Sequence, residues 1–148
     1  QHQAIDFVNG TRYQFVGDSI LLEDGLLQNF HLKPGRISLQ LNNRVDSLNG
    51  IFHNTVFYQF GSKRVVIIDR PLNTESLQQK MDIDMVIISK SPGLYISQLT
   101  KIFNCRQFIF DASNPLWKIE KWQRECIKLN VKGYSVPGAG AFIYDIGI

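Results

Sequence analysis

Asp84-Met85-Val86-Ile87-Ile88-Ser89 is an apolar run closed by polar residues at both ends, and it decides the fold. Four successive apolar residues without alternation fit a strand buried on both faces, the usual state of a strand inside a parallel sheet. Downstream, Pro92-Gly93 turns the chain into a helix carrying Ile96, Leu99, Ile102 and Phe103 at helical spacing. Phe108 to Phe110 is a second short buried strand. Asn114 is expected to cap the next helix, with Pro115 at the first position, where a missing N–H costs nothing. Ile119, Trp122, Cys126 and Leu129 form its inner stripe, and Lys118, Lys121, Arg124 and Lys128 are expected to face water. Two closing strands, Gly133 to Val136 and Ala141 to Ile146, flank Pro137-Gly138-Ala139-Gly140.

Upstream the chain is richer in strands. Ala4 to Val8 and Thr11 to Val16 read as a hairpin around Asn9-Gly10, the pair that suits a type I′ turn. Asp18 is expected to cap a helix to about Phe30, weakened at Gly25 by roughly 1 kcal/mol. Pro34-Gly35 reads as a break, Arg36 to Leu41 as a strand, and Asn42 to Asn54 as a loose connection. A second hairpin joins Thr55–Phe60 to Lys63–Asp69 through Gly61-Ser62, a type II′ pair. Pro71 to Lys80 reads as a loop with room for one helical turn. The order predicts an α/β fold, a mixed β-sheet with helices packed on it.

The 148 residues fit one domain, 1–148, and a chain of this length buries about 70% of its unfolded surface. The apolar share of 44% and charged share of 20% are those of a globular protein. Apolar runs such as Val65–Ile68 are four residues long, far from the roughly 20 that a spanning helix needs. The chain begins with Gln1, which reads as processing or as excision from something larger. The net charge of +3 permits phosphate contact without demanding it. Cys105 and Cys126 allow at most one disulfide and read as buried free thiols.

No self-sufficient hydrolase chemistry is legible. His2, His31 and His53 lie far apart, without His-x-His, His-Glu-x-x-His or paired-Cys spacing, and read as surface or hydrogen-bonded residues. Gly138-Ala139-Gly140 lacks the third glycine and following helix of a dinucleotide loop and reads as a turn. Ser89, Ser91 and Ser113 sit at strand ends with no evident histidine partner. Asp69 and Asp111 close apolar strands, where active-site carboxylates and ordinary turn formers both occur. Metal and catalytic residues are therefore expected to be none, with no cofactor. The cations remain. Lys118, Lys121, Arg124 and Lys128 are interleaved with Glu120 and Glu125, which fits a solvated helix and also permits phosphate contact.

Three strings carry a family resemblance: Asp84 to Ser91, Phe108-Ile109-Phe110-Asp111-Ala112-Ser113-Asn114, and Gly140-Ala141-Phe142-Ile143. Together with Ala4 to Gly10 and Asn29 to Pro34, they resemble the C-terminal soluble domain of ComEC-type competence proteins, in the form found in Bacteroidetes. Such proteins are polytopic inner-membrane proteins implicated in DNA uptake. The resemblance implies a soluble piece of a larger membrane protein, located at the inner membrane on a side the sequence does not reveal.

In many ComEC proteins this region is metallo-β-lactamase-like, which implies a shortened domain of that type. Ser89-Lys90-Ser91 stands where a strand would end in paired histidines, and the His-x-His-x-Asp-His ligand loop has no counterpart. Ser113-Asn114-Pro115 and Gly140-Ala141 keep the pattern, and Ile68-Asp69 only echoes the Gly-Asp of an earlier hairpin. Zinc needs about three protein ligands and an open position to activate water. The expected function is thus a non-catalytic accessory domain in DNA uptake. Its expected partners are single-stranded DNA, the membrane-embedded part of the same protein and other competence proteins. The residues expected to meet phosphate are Lys90, Arg106, Lys118, Lys121 and Arg124. Two alternatives stay open: a metal-assisted phosphodiesterase using Asp69, Asp111 and a histidine, and a structural module docked on the membrane part.

Overall fold

A computed structural model describes residues 2–23, 25–73 and 79–147. The chain divides into two compact units, His2–Ile51 and Phe52–Ile148.

In the smaller unit, β1 (Ala4–Asn9) and β2 (Arg12–Gly17) form an antiparallel hairpin, and β3 (Asn43–Arg44) adds in parallel to β2. Asn9 pairs with Arg12, so the two turn residues are Gly10 and Thr11, one position later than expected. Gly10 has φ +62°, and Thr11 is not in the left-handed region, which meets the type II′ requirement rather than I′. The helix expected from Asp18 to about Phe30 is present as α1 (Ile20–Glu23) and α2 (Gly25–Leu27), and its last turn, Gln28–Leu32, is π-helical. At its start, Asp18 O accepts the Leu21 N–H at 3.0 Å and the Asp18 carboxylate accepts the Gln3 N–H at 2.9 Å.

The strand expected at Arg36–Leu41 is replaced by α3 (Lys33–Ser38). Pro34 lies in the first turn of that helix, where it is tolerated. The helix delivers Arg36 to Asp6, whose two carboxylate oxygens accept from Nε and Nη2 at 2.9 Å each. The guanidinium also lies 4.4 Å from the centroid of the Tyr13 ring. This buried fork outweighs the alternation in the local sequence.

The larger unit carries a six-stranded mixed sheet. Its strands are β4 (Ile51–Asn54), β5 (Phe57–Phe60), β6 (Lys63–Ile68), β8 (Met85–Ile88), β10 (Gln107–Phe110) and β11 (Lys132–Ser135), in the order β11-β10-β8-β6-β5-β4. Two short strands, β7 (Met81–Asp82) and β9 (Phe103–Asn104), pair in parallel as a separate ladder. Hence β3 and β4 occupy part of the segment expected to be a loop, and Phe103 starts β9 rather than ending the preceding helix. The β5–β6 hairpin turns at Gly61-Ser62 with Gly61 at φ +57°, as expected for type II′. Residues 74–78 of the expected Pro71–Lys80 loop lie outside the described residues.

Strands β6, β8, β10 and β11 run parallel. Between β8 and β10 the chain forms α4 (Ile96–Ile102), and between β10 and β11 it forms α5 (Leu116–Leu129). Ile96, Leu99, Ile119, Trp122 and Cys126 pack with Val66, Ile68, Val86, Ile88, Phe108 and Phe110 in one core. Trp122 is fully buried, stacks on Phe110 with centroids 5.4 Å apart, and donates its indole N–H to Leu94 O at 3.1 Å. Gly133 lets β11 approach: a Cβ there would lie 3.1 Å from Cys126 Sγ. Both cysteines are buried and free.

Two further expectations fail. Leu129 is 38% exposed rather than part of the inner stripe, because α5 is ending in the left-handed Asn130 (φ 55°). Ala141–Ile146 forms no strand; residues 141–147 have no regular structure and follow a helical turn, α6 (Val136–Ala139). Phe142 packs edge-on against Tyr134 with centroids 5.0 Å apart, and the Tyr134 hydroxyl donates to Ala141 O at 3.3 Å.

Candidate functional site

Parallel strands bring their carboxyl ends to one edge of the sheet, the usual place for sites in open α/β sheets. Here β8 runs out into Ser89-Lys90-Ser91 and β10 into Asp111-Ala112-Ser113-Asn114. Ser89, Asp111 and Asn114 are buried. The Ser89 hydroxyl donates to Asp111 Oδ2, and the Ser113 hydroxyl donates to Asp111 Oδ1. The Ser113 N–H also donates to Oδ1, at 3.0 Å.

Asn114 does not cap α5, whose N-terminal flank is Pro115 without a side-chain hydrogen bond. Its amide ties the two strand ends together instead. Nδ2 donates to Ile88 O at 2.7 Å and to Asp111 O at 3.1 Å, while Oδ1 accepts the Ser91 N–H at 2.9 Å. The Lys90 N–H donates to Ser113 Oγ at 2.7 Å. Lys90 (φ 57°) and Ser91 (φ 54°) are consecutive left-handed residues. Such residues cost roughly 1–2 kcal/mol each without a glycine, and the bonds to Ser113 and Asn114 hold them there.

Around this buried network lies a rim of cations. Lys118, in the first turn of α5, is not simply solvated: Nζ donates to Ser91 O at 2.9 Å and Ser91 Oγ at 3.0 Å, and lies 5.5 Å from the Trp122 centroid. Lys121, expected to face water, places Nζ 4.4 Å from the centroid of Tyr95, just before α4. Lys90 and Arg124 are exposed, Arg124 three residues beyond Lys121 on the same helix. Arg106 is exposed too, but it precedes β10 and so lies at the opposite, amino edge of the parallel strands. The five cations singled out in the sequence therefore do not form one group. Lys90, Lys118 and Lys121 gather at the carboxyl edge, Arg124 follows along α5, and Arg106 is apart.

Asp69 reaches the same edge as Asp111, since Ile68 pairs with Ile88, but its Oδ1 accepts from Arg70 Nε at 2.9 Å. Its charge, after desolvation, contributes to raising the Tyr58 phenol above its ordinary value. His2 and His31 belong to the smaller unit, with ring centroids 6.5 Å apart. His53 stacks on Tyr58 at 4.2 Å, and its Nε2 lies 2.7 Å from Thr55 O. Among the described residues, no three His, Cys, Asp or Glu side chains are grouped so as to hold an ion.

The family model for the ComEC C-terminal domain matches residues 1–146. The chain belongs to that family. A comparison with curated proteins and one with solved structures each gave no match. Membership connects this ComEC C-terminal domain with competence and DNA uptake, and with a membrane protein. Among the described residues, no helix is long and apolar enough to cross a membrane.

Sequence reasoning singled out Ser89, Ser91, Asp111 and Ser113 one by one, but not as one network. It missed Asn114 as a tie between strands, and it missed Tyr95 and Trp117 at the rim. The available signal was that Trp117 stands four residues before Lys121, on the outer face of α5 rather than the inner one.

Proposed function

We propose that this ComEC C-terminal domain is a non-catalytic accessory domain of DNA uptake that meets single-stranded DNA through cations on its surface. The carrying observation is the Asp111 network. A carboxylate accepting two hydroxyls and a backbone N–H is committed to holding strand ends together. A metal-assisted phosphodiesterase needs about three ligands around one open position, and the carboxylates at this edge are engaged with serines and with Arg70. On this reading the sheet is a shortened metallo-β-lactamase-like scaffold in which Ser89-Lys90-Ser91 replaces ligand histidines. Lys90, Lys121 and Arg124 meet phosphates, Lys118 serves mainly to fix the Ser91 loop, and Arg106 stands outside the contact surface. The membrane-embedded part of the same protein and other competence proteins are its neighbours.

The test is fluorescence anisotropy of an end-labelled oligothymidylate, titrated with the 148-residue chain at several salt concentrations. Three phosphate contacts predict a slope of log K against log salt of about −2, flattening when Lys90, Lys121 and Arg124 are changed to Gln. Undetectable binding at about 50 mM salt, where phosphate contacts are strong, contradicts DNA contact. Cleavage of the labelled strand with magnesium, manganese or zinc, lost in Asp111→Asn, contradicts the non-catalytic assignment.

A further inference from the structure

We infer that Trp117, with Lys121 and its partner ring Tyr95 one turn further along α5, is a base-stacking platform that gives this surface a preference for single-stranded over duplex DNA; the inference rests on the DNA-contact reading above. The two tryptophans of the chain stand in opposite environments. Trp122 is 0% exposed and locked in the core, whereas Trp117 is 65% exposed on the second residue of α5. An indole left in water keeps a large apolar face hydrated, and that face is available to stack.

Its position on the helix gives that display a use. Trp117, Lys121, Arg124 and Lys128 follow one another at four, three and four residues, so they share one stripe of α5. The stripe extends about 16 Å at a rise of 1.5 Å per residue. The buried stripe of the same helix is Ile119, Trp122 and Cys126. Glu125, the nearer acid to α4, turns away from the stripe: its Oε2 accepts the Ile96 N–H at 3.2 Å. Tyr95 is 50% exposed and carries the Lys121 ammonium against its ring. An exposed indole is thus followed one helical turn later by a cation held on a second aromatic ring, with further cations continuing along the helix.

Single-stranded nucleic acid matches this arrangement chemically, since unpaired bases offer π-faces and the backbone offers evenly spaced anions. In a duplex the base faces are already stacked, so only the cations act. A bilayer is the weaker match. Apart from Trp117 the stripe is charged, and the exposed apolar residues flanking it, Leu116 and Ile127, are separated by Glu120 and Gln123, whereas an interfacial helix needs a continuous apolar face to bury.

The experiment pairs anisotropy with intrinsic tryptophan fluorescence on the 148-residue chain, using oligothymidylate, the matching duplex, and phosphatidylcholine–phosphatidylglycerol vesicles as probes. Oligothymidylate is expected to quench the emission, and Trp117→Phe to remove the quenching while binding stays within about threefold, since a phenyl ring still stacks. Trp117→Ala is expected to weaken binding about 5- to 100-fold without changing the salt slope, the size of one lost stack. Quenching that persists in Trp117→Phe, wild-type affinity in Trp117→Ala, or equal competition by duplex overturns the platform and leaves phosphate contact standing. Absence of binding by anisotropy removes the DNA reading and this inference together. A vesicle-induced blue shift that oligothymidylate does not reverse assigns Trp117 to a lipid surface and overturns the proposal.

Discussion

The Arg36 guanidinium is buried in the smaller unit and bonded to both oxygens of Asp6. Breaking a buried pair leaves one charge without compensation, so Arg36→Ala is expected to destabilise that unit by about 3 kcal/mol. Arg36→Lys recovers only part of this, because an ammonium reproduces neither the fork nor the stacking on Tyr13. Urea unfolding followed by amide signals of residues 4–17 measures both. Cys126 gives a pH prediction. Burial, with a smaller contribution from the neighbouring Glu125, pushes its thiol up to about 12 from an ordinary 9.0. The folded state therefore keeps a proton that the unfolded state releases. This contribution to stability is complete below pH 9.0 and is lost as pH rises toward about 12. In urea melts across pH 8–11, Cys126→Ala is expected to remove that part of the alkaline decline.

Among the elements, the β8 and β10 ends depend on Asn114. Asn114→Ala leaves the Ser91 N–H without its partner and Ile88 O with the Asp111 N–H as its remaining donor, and an unsatisfied group costs about 1–3 kcal/mol. The expected loss is roughly 2 kcal/mol, with amide exchange quickening first at Ser89–Ser91. Strands β8 and β10 themselves were legible because Met85–Ile88 and Phe108–Phe110 are continuous apolar runs, which only burial on both faces tolerates. The tie between them was not. Ser89, Ser113 and Asn114 each satisfy a local rule for turns and caps, and Asn-Pro before an apolar stripe reads as a helix start. What overrode that rule is a partner on another strand, 26 residues away in the chain. The failed strand at Arg36–Leu41 has a similar origin: alternation was present, but a buried ion pair with Asp6 set the backbone.

At the scale of the molecule, strand direction converts a scattered list of cations into a sided surface. A modest net charge of +3 is silent about placement. The parallel arrangement of β8 and β10 puts Lys90 and the start of α5 at one edge and Arg106 at the other. The central claim is therefore that DNA is met by one edge and one helix face, without chemistry at the strand ends. Titrating the isotopically labelled chain with oligothymidylate and following every backbone amide tests it most directly. The predicted result is a set of shifts confined to residues 89–95 and the Trp117–Lys128 stripe of α5, with Arg106 and its neighbours unmoved. Shifts centred on Arg106 and the amino ends of the strands, or no shifts anywhere, contradict it.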